Sequence, residues 1–316
     1  MEQRQKANKQ KTKKIAGVIL ASLLTVVLLF SALITYVQPS WLPSWGQIYR
    51  FFGLAGTEEQ AGDFAFAVQV FDVGKADSIL LSCNGHYVLV DAGDIQLTEE
   101  VAAKLKKQGI THLDLVVATH PDRDHIGGMA AVLLEFEVDR FMMPRVPAQN
   151  FEPSSAYDAL LMALEDKGIL QINPTPGDSF DIGGMQLQVL GPLQQYEGSN
   201  NNSIVLKASY GSDSILLMGD AEKEAELDLL AADYDLQADV LKVGHHGSDT
   251  STTAALLDAV QPAMAVISVG SDSNQLPKKQ VITRIKQQGA EIYRTDINGT
   301  ILLGSEGDGF TVHTGR

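Results

Sequence analysis

Thr119-His120-Pro121-Asp122-Arg123-Asp124-His125-Ile126-Gly127-Gly128 is the stretch that decides how this chain folds and what chemistry it can hold. Two imidazoles and two carboxylates fall between His120 and His125, directly after the apolar run Leu113-Asp114-Leu115-Val116-Val117-Ala118. A rigid strand that delivers four such groups on one short loop can close them around one or two divalent cations. The two glycines let the backbone turn sharply into the next helix. The plain alternative is a polar strand-to-helix loop in which an aspartate caps the helix.

Three further segments repeat the pattern of a ligand at the end of an apolar strand. His86-Tyr87-Val88-Leu89-Val90 runs into Asp91-Ala92-Gly93-Asp94, and Ser214-Ile215-Leu216-Leu217-Met218 runs into Gly219-Asp220. Asp239-Val240-Leu241-Lys242-Val243 runs into Gly244-His245-His246-Gly247-Ser248. Each sets a carboxylate or imidazole where a strand meets a loop, with glycine beside it for close backbone approach. Taken singly, each has an ordinary explanation. Asp220 can cap a helix beginning at Ala221, and His245-His246 can be a hydrogen-bonded pair on a surface turn. Four such segments in one chain make coincidence hard to sustain.

Strand-like and helix-like runs alternate around these segments. A hairpin is expected at Asn84-Gly85 between two β-rich runs. A helix is expected over 97–108, ended by Gly109, and another over 129–137. Hairpins mixed with outer helices point to a layered α/β domain.

The order of these motifs resembles the metallo-β-lactamase superfamily, whose loop is often written His-x-His-x-Asp-His. The branch it resembles is the C-terminal domain of the ComEC/Rec2 competence proteins. The resemblance rests on Phe71-Asp72-Val73-Gly74-Lys75-Ala76-Asp77-Ser78, Val90-Asp91-Ala92-Gly93-Asp94, the His120 loop and Asn200-Asn201-Asn202-Ser203. Leu216-Leu217-Met218-Gly219-Asp220, Leu241-Lys242-Val243-Gly244-His245-His246-Gly247-Ser248 and Thr295-Asp296-Ile297-Asn298-Gly299 follow in the same order. It implies a four-layer αββα sandwich and a hydrolase. It also implies one metal site on His120 and Asp122, a second on Asp124, His125 and His245, and Asp220 bridging both. Two departures matter: Asp122 stands where the superfamily has histidine, and no histidine occurs between His125 and His245. The first site is therefore oxygen-rich and leans toward Mn²⁺ or Mg²⁺ over Zn²⁺, with one or two ions bound.

The N-terminus carries a different signal. Residues 1–14 hold six cations against Glu2, a net +5, so the total of −15 leaves −20 for the remainder. Residues 15–37 are an uncharged stretch of 23, long enough at about 1.5 Å per residue to cross a roughly 30 Å hydrocarbon core. The basic flank places the tail in the cytoplasm and the rest outside, as a single-pass protein of the cell membrane. A cleaved signal peptide, giving a secreted form, is the alternative, although its apolar region spans only about 7–15 residues. Residues 38–63 read as a juxtamembrane linker and 64–316 as the hydrolase domain. With only Cys83 present, intrachain disulfides and a cysteine-based zinc site are excluded, and no disulfide-linked partner is implied.

The leading expectation is a metal-dependent phosphodiesterase or DNA-degrading nuclease that uses metal-activated water. Asp124 is expected to orient that water or accept its proton. His246 is a candidate acid for the leaving group, Asn200, Asn201 and Ser248 are candidate substrate contacts, and Asp91 is a brace for the loop. Against long DNA stands the −20 remainder, which offers no obvious basic stripe. A small phosphodiester or a lactone is the alternative substrate. The non-catalytic alternative is a DNA-binding, competence-associated module with a decayed site.

Overall fold

Side-chain alternation along the strands sets the layers. In β1 (Phe66–Val70), Ala67 joins one apolar cluster while Phe66, Val68 and Val70 join another. A strand buried on both faces needs a helix layer on one side and a second sheet on the other. The computed structural model describes residues 22–31, 59–97, 99–147, 151–270 and 275–316.

The first sheet joins β1 to β2 (Ser78–Cys83), β3 (His86–Ala92), β5 (Leu115–Val117), β7 (Arg140–Met142), β8 (Leu170–Ile172), β16 (Ile301–Ser305) and β17 (Phe310–Thr314). These eight strands lie in the order β17-β16-β1-β2-β3-β5-β7-β8. A two-stranded ladder of β4 (His112–Leu113) and β6 (Glu137–Val138) flanks it. The second sheet holds β9 (Ser179–Ile182), β10 (Met185–Gly191), β11 (Val205–Tyr210), β12 (Asp213–Leu217), β13 (Val240–Lys242), β14 (Met264–Ile267) and β15 (Glu291–Arg294). Its seven strands lie in the order β15-β14-β13-β12-β11-β10-β9.

Three apolar clusters separate four layers. The outer faces of β2, β3 and β5, through Leu80, Leu89 and Val116, pack against α1 (Glu100–Lys107), α3 (Met129–Glu135) and α4 (Ser155–Lys167) through Leu105, Val132 and Leu160. The inner faces of both sheets meet in the middle, with Val68, Leu81, Val88 and Val117 on one side and Leu187, Leu206, Ile215 and Val240 on the other. Beyond the second sheet, Leu216, Leu241 and Ile267 pack on α5 (Lys223–Ala231), α6 (Ala254–Val260) and α7 (Lys279–Gln288). The expected αββα sandwich is the observed architecture.

Each sheet is half antiparallel and half parallel. β3, β5, β7 and β8 run parallel in the first, and β12 to β15 run parallel in the second. Parallel strands place their carboxyl ends along one edge, and open α/β sheets bind ligands there. All four ligand-bearing segments lie at such ends: Asp91 in β3, the His120 loop after β5, Asp220 after β12 and His245-His246 after β13.

The Asn84-Gly85 hairpin forms with both residues at positive φ, and Gly109 follows the first helix at φ +76°. That helix begins at Glu100 rather than 97, after a separate 3-10 turn over Ile95–Leu97. Residue 137 leaves the third helix for a strand. Strands β7 and β8 were not apparent in the sequence, because three residues are too few to show alternation. In β8, Leu170 also points outward at the sheet edge.

Residues 22–31 are helical, and among the described residues no helix is long and apolar enough to cross a membrane. The expected anchor at 15–37 lies mostly outside the described residues, as do 1–14 and 38–58. Glu59–Arg316 is a compact unit by itself.

Candidate metal centre

The His120 loop turns on glycine. A Cβ on Gly127 would fall 2.0 Å from the Ile95 backbone nitrogen, so only glycine lets α2 (Arg123–Ile126) lie against the turn that follows β3. Gly219 stands at φ +53°, and a Cβ there would meet Ser203 Cβ at 2.9 Å and Thr119 Cβ at 3.1 Å. That close approach brings Asp220 beside the His120 loop. Asp220 does not cap α5. The N-cap there is Glu222, and Asp220 is buried in the centre with 3% exposure.

Four imidazoles converge, and each is held by its Nδ1. His125 Nδ1 lies 2.7 Å from Asp91 Oδ2, and His246 Nδ1 lies 3.0 Å from the Ser268 carbonyl oxygen. His245 Nδ1 lies 3.0 Å from Glu222 Oε1. His120 Nδ1 has the hydroxyls of Thr119 and Ser203 at 3.1 and 3.3 Å. Holding a histidine by one ring nitrogen fixes the tautomer and presents the other as a ligand. The presented atoms face Asp220: His125 Nε2 is 3.3 Å from Oδ1, while His245 and His246 Nε2 are each 3.7 Å from Oδ2. His120 Nε2 is 3.7 Å from Asp122 Oδ2 and 4.0 Å from Asp220 Oδ2.

The Nε2 atoms of His120, His125 and His246, and Oδ1 of Asp220, are all buried without a hydrogen-bond partner. Each such orphan costs about 1–3 kcal/mol, and four of them aimed at one another need a shared ligand. The donor set of imidazole nitrogens and carboxylate oxygens, with no sulfur, fits divalent transition metals. Ligand atoms lie within 4.8 Å of one another in the sets His120–His125–Asp220 and Asp124–His125–His246.

Both His245 and His246 stand in the left-handed region, at φ +47° and +51°. Non-glycine residues rarely go there, and such strain gathers at functional sites. Here it turns two successive imidazoles inward. His246 is fully buried with the orphaned nitrogen, whereas His245 stays part-exposed beside Glu222. The geometry therefore brings His246 into the ligand set at least as firmly as His245.

Charge is tightly compensated. Burial acts to raise the Asp220 pKa, but His125, His246 and His120 draw it well below the usual carboxylate range. Burial acts to lower the His125 pKa, but Asp220 and Asp91 hold it well above its ordinary value. Asp124 is likewise drawn down against burial by His246, His125 and Lys75, whose Nζ is 2.7 Å from Asp124 Oδ2. Asp122 is lowered against burial by His120, with a hydrogen bond from Ser199 adding to the effect.

Asp91 braces the loop: its carboxylate accepts from the Thr119 amide at 2.8 Å and the Thr119 hydroxyl at 2.7 Å, besides holding His125. Asn201 supports the far side by accepting from the Glu222 amide at 2.9 Å, while Asn200 is half-buried in the same turn. Ser248 reaches the centre only indirectly. Its hydroxyl meets Thr250 at 2.9 Å, and Thr250 donates to Glu222 at 2.7 Å.

Sequence reasoning missed Asp77, Glu222, Ser203 and the role of Lys242. Fully buried Lys242 donates to Asp77 at 2.9 Å, and Asp77 Oδ1 lies 3.8 Å from His246 Nδ1. The Lys75-Ala76-Asp77 motif was visible, but the pairing of its carboxylate with a lysine 165 positions later was not.

The chain belongs to the Metallo-beta-lactamase superfamily, whose family description matches residues 72–271. It is 32% identical over 254 residues to ComE operon protein 3 of Bacillus subtilis, covering 74% of this chain and 32% of that protein. It is 28% identical over 243 residues to Competence protein ComA of Neisseria gonorrhoeae, covering 75% of this chain and 32% of that one. The chain thus spans about a third of the length of these relatives. Among solved structures, CmlA, a diiron beta-hydroxylase from Streptomyces venezuelae, superposes with a TM-score of 0.51 at 13% identity, over 79% of this chain and 58% of CmlA.

Proposed function

We propose that this hydrolase is a metal-dependent phosphodiesterase acting on nucleic acid or a smaller phosphodiester. The observation that carries the reading is the convergence of three orphaned Nε2 atoms and Asp220 Oδ1 at the meeting of the two sheet edges, flanked by the Asp122 and Asp124 carboxylates. His120, Asp122, Asp124, His125, Asp220 and His246 would hold divalent ions, with His245 beside them. Bound there, such ions supply an acidified water and polarise a phosphoryl oxygen. Asp124, kept ionised by His246, His125 and Lys75, would accept a hydrogen bond from the attacking water and so orient it. The fixed Nδ1 contact of His246 with Ser268 supports a ligand role over donation to a leaving group.

Asp122 in place of a superfamily histidine adds an oxygen donor, which favours Mn²⁺ or Mg²⁺ over Zn²⁺. The 15–37 segment supports a cell-membrane anchor with the hydrolase outside, and the relatives' names support a setting in competence. The charge of −15 favours short or small substrates over long duplex DNA.

The test uses the full-length chain, stripped of metal and reconstituted separately with Mn²⁺, Mg²⁺ and Zn²⁺. Bis(p-nitrophenyl) phosphate, single-stranded oligonucleotides and long duplex DNA are then compared. Metal-dependent hydrolysis that falls at least about 100-fold in Asp220→Asn is the expected result. No phosphodiester cleavage with any metal overturns the reading, and activity restored by Zn²⁺ alone overturns the metal preference.

A further inference from the structure

We propose that the groove along the carboxyl ends of β7 and β8 is a nucleotidyl subsite, in which Arg145 binds the phosphate next to the scissile one. The inference rests on the phosphodiesterase reading and names where the rest of the substrate lies.

Strand register makes the case. Val117 pairs with Met142, and Met142 pairs with Ile172, so β5, β7 and β8 end on the same rung. His120, Arg145 and Thr175 each stand three residues beyond that rung. Neighbouring strands lie about 4.8 Å apart, so Arg145 leaves the sheet one strand from the metal centre and Thr175 two strands from it. The Ala118 amide, donating to the Met142 carbonyl at 2.9 Å, ties the first two loops together.

Gln194, Gln195 and Asn202 from the second sheet's loops form the opposite bank of a cavity of about 450 Å³. That volume lies within the range of small-molecule sites, roughly 300–1,000 Å³. The second bank is tied to the centre through the chain: after Asn202, Ser203 Oγ is 3.3 Å from His120 Nδ1, and the Ile204 amide donates to the Thr119 carbonyl at 2.8 Å.

The lining chemistry selects the ligand. Among the described residues Arg145 is the only charged one on the walls, and Asn173 orients it, with Arg145 Nε donating to Asn173 Oδ1 at 3.1 Å. A guanidinium fixed by one edge can still offer a forked pair of donors, which matches a phosphate. One cation takes one phosphate, not a polyanion. Gln194 Nε2 is held by Asp228 at 2.6 Å and keeps its amide oxygen as an acceptor, Asn173 keeps its amide nitrogen as a donor, and Gln195 offers both, a mixture that suits the edge of a base. Phosphate and base together make a nucleotidyl group.

The experiment compares the full-length chain with Arg145→Ala and Arg145→Lys on three substrates. They are bis(p-nitrophenyl) phosphate, a dinucleotide, and the same dinucleotide carrying a terminal phosphate. Arg145→Ala should raise KM for the phosphorylated dinucleotide about 10-fold, matching one lost charge-assisted contact. Its kcat, and the hydrolysis of bis(p-nitrophenyl) phosphate, should stay at the parent level, and Arg145→Lys should recover part of the KM. Equal KM values for parent and Arg145→Ala, or an equal loss on all three substrates, would overturn the subsite. If the parent cleaves none of the three, the phosphodiesterase reading itself fails, and the subsite with it.

Discussion

Asp91 acts on the loop through its carboxylate, which accepts from the Thr119 amide and the Thr119 hydroxyl and meets the His125 ring at Nδ1. It holds this place at φ +60°, a conformation uncommon for a residue other than glycine. Asp91→Ala should weaken metal binding about 10–100-fold, as measured by competition with a chromophoric chelator. The two adjacent histidines separate by the same logic. His246→Ala removes a fully buried nitrogen that has no hydrogen-bond partner and should lower the bound metal per chain, whereas His245→Ala, at a part-exposed position, should lower it less. Metal analysis after dialysis reads the difference, and an equal loss in both would contradict the assignment. The resemblance gave the ligand role to His245 and an acid role to His246. The inward turn of His246 was not legible, because it rests on a backbone reversal at both residues.

At the scale of elements, one ion pair joins the two halves of the site. Lys242 in β13 and Asp77 in the loop before β2 are both buried, and burial would raise the Asp77 pKa were it not for Lys242, which with His246 and His125 pulls it down. Removing one member of a buried pair leaves an uncompensated charge, so Lys242→Met should cost about 3–5 kcal/mol in urea denaturation. Strand β2 carries a second test. Burial pushes the Cys83 thiol up to about 11, and the thiol donates to the Gly183 carbonyl at 3.2 Å. It should resist a thiol reagent at pH 8 in the native protein and react once the chain is unfolded in guanidinium. Fast native labelling would show that the β2 edge opens readily.

For the whole molecule, stability and metal binding are linked through the buried charges. In chelator-stripped protein, burial lowers the His125 pKa but Asp220 and Asp91 raise it further, so the folded value exceeds the unfolded one of about 6.5. Its contribution is fully present below about 6.5 and is lost as pH rises through the folded pKa. Asp220 acts in the other sense: its lowered pKa gives stability above about 3.9 that is lost as pH falls through the folded value. The Tm of the stripped protein should therefore fall between pH 6 and 9. Added metal should raise it and flatten that decline, because the ion replaces the proton as counter-charge. Equal melting of the stripped protein at both pH values would contradict this balance. The strand-end placement of Asp91, His120, Asp220 and His245-His246 was legible in the sequence, since apolar runs followed by glycine and a ligand are local patterns. The layered α/β class was legible for the same reason. Lys242 with Asp77, the inward turn of His246 and the groove at Arg145 were not. Each depends on which strand lies beside which and on a shared register, and these are set by the packing of two sheets rather than by any run of neighbouring residues.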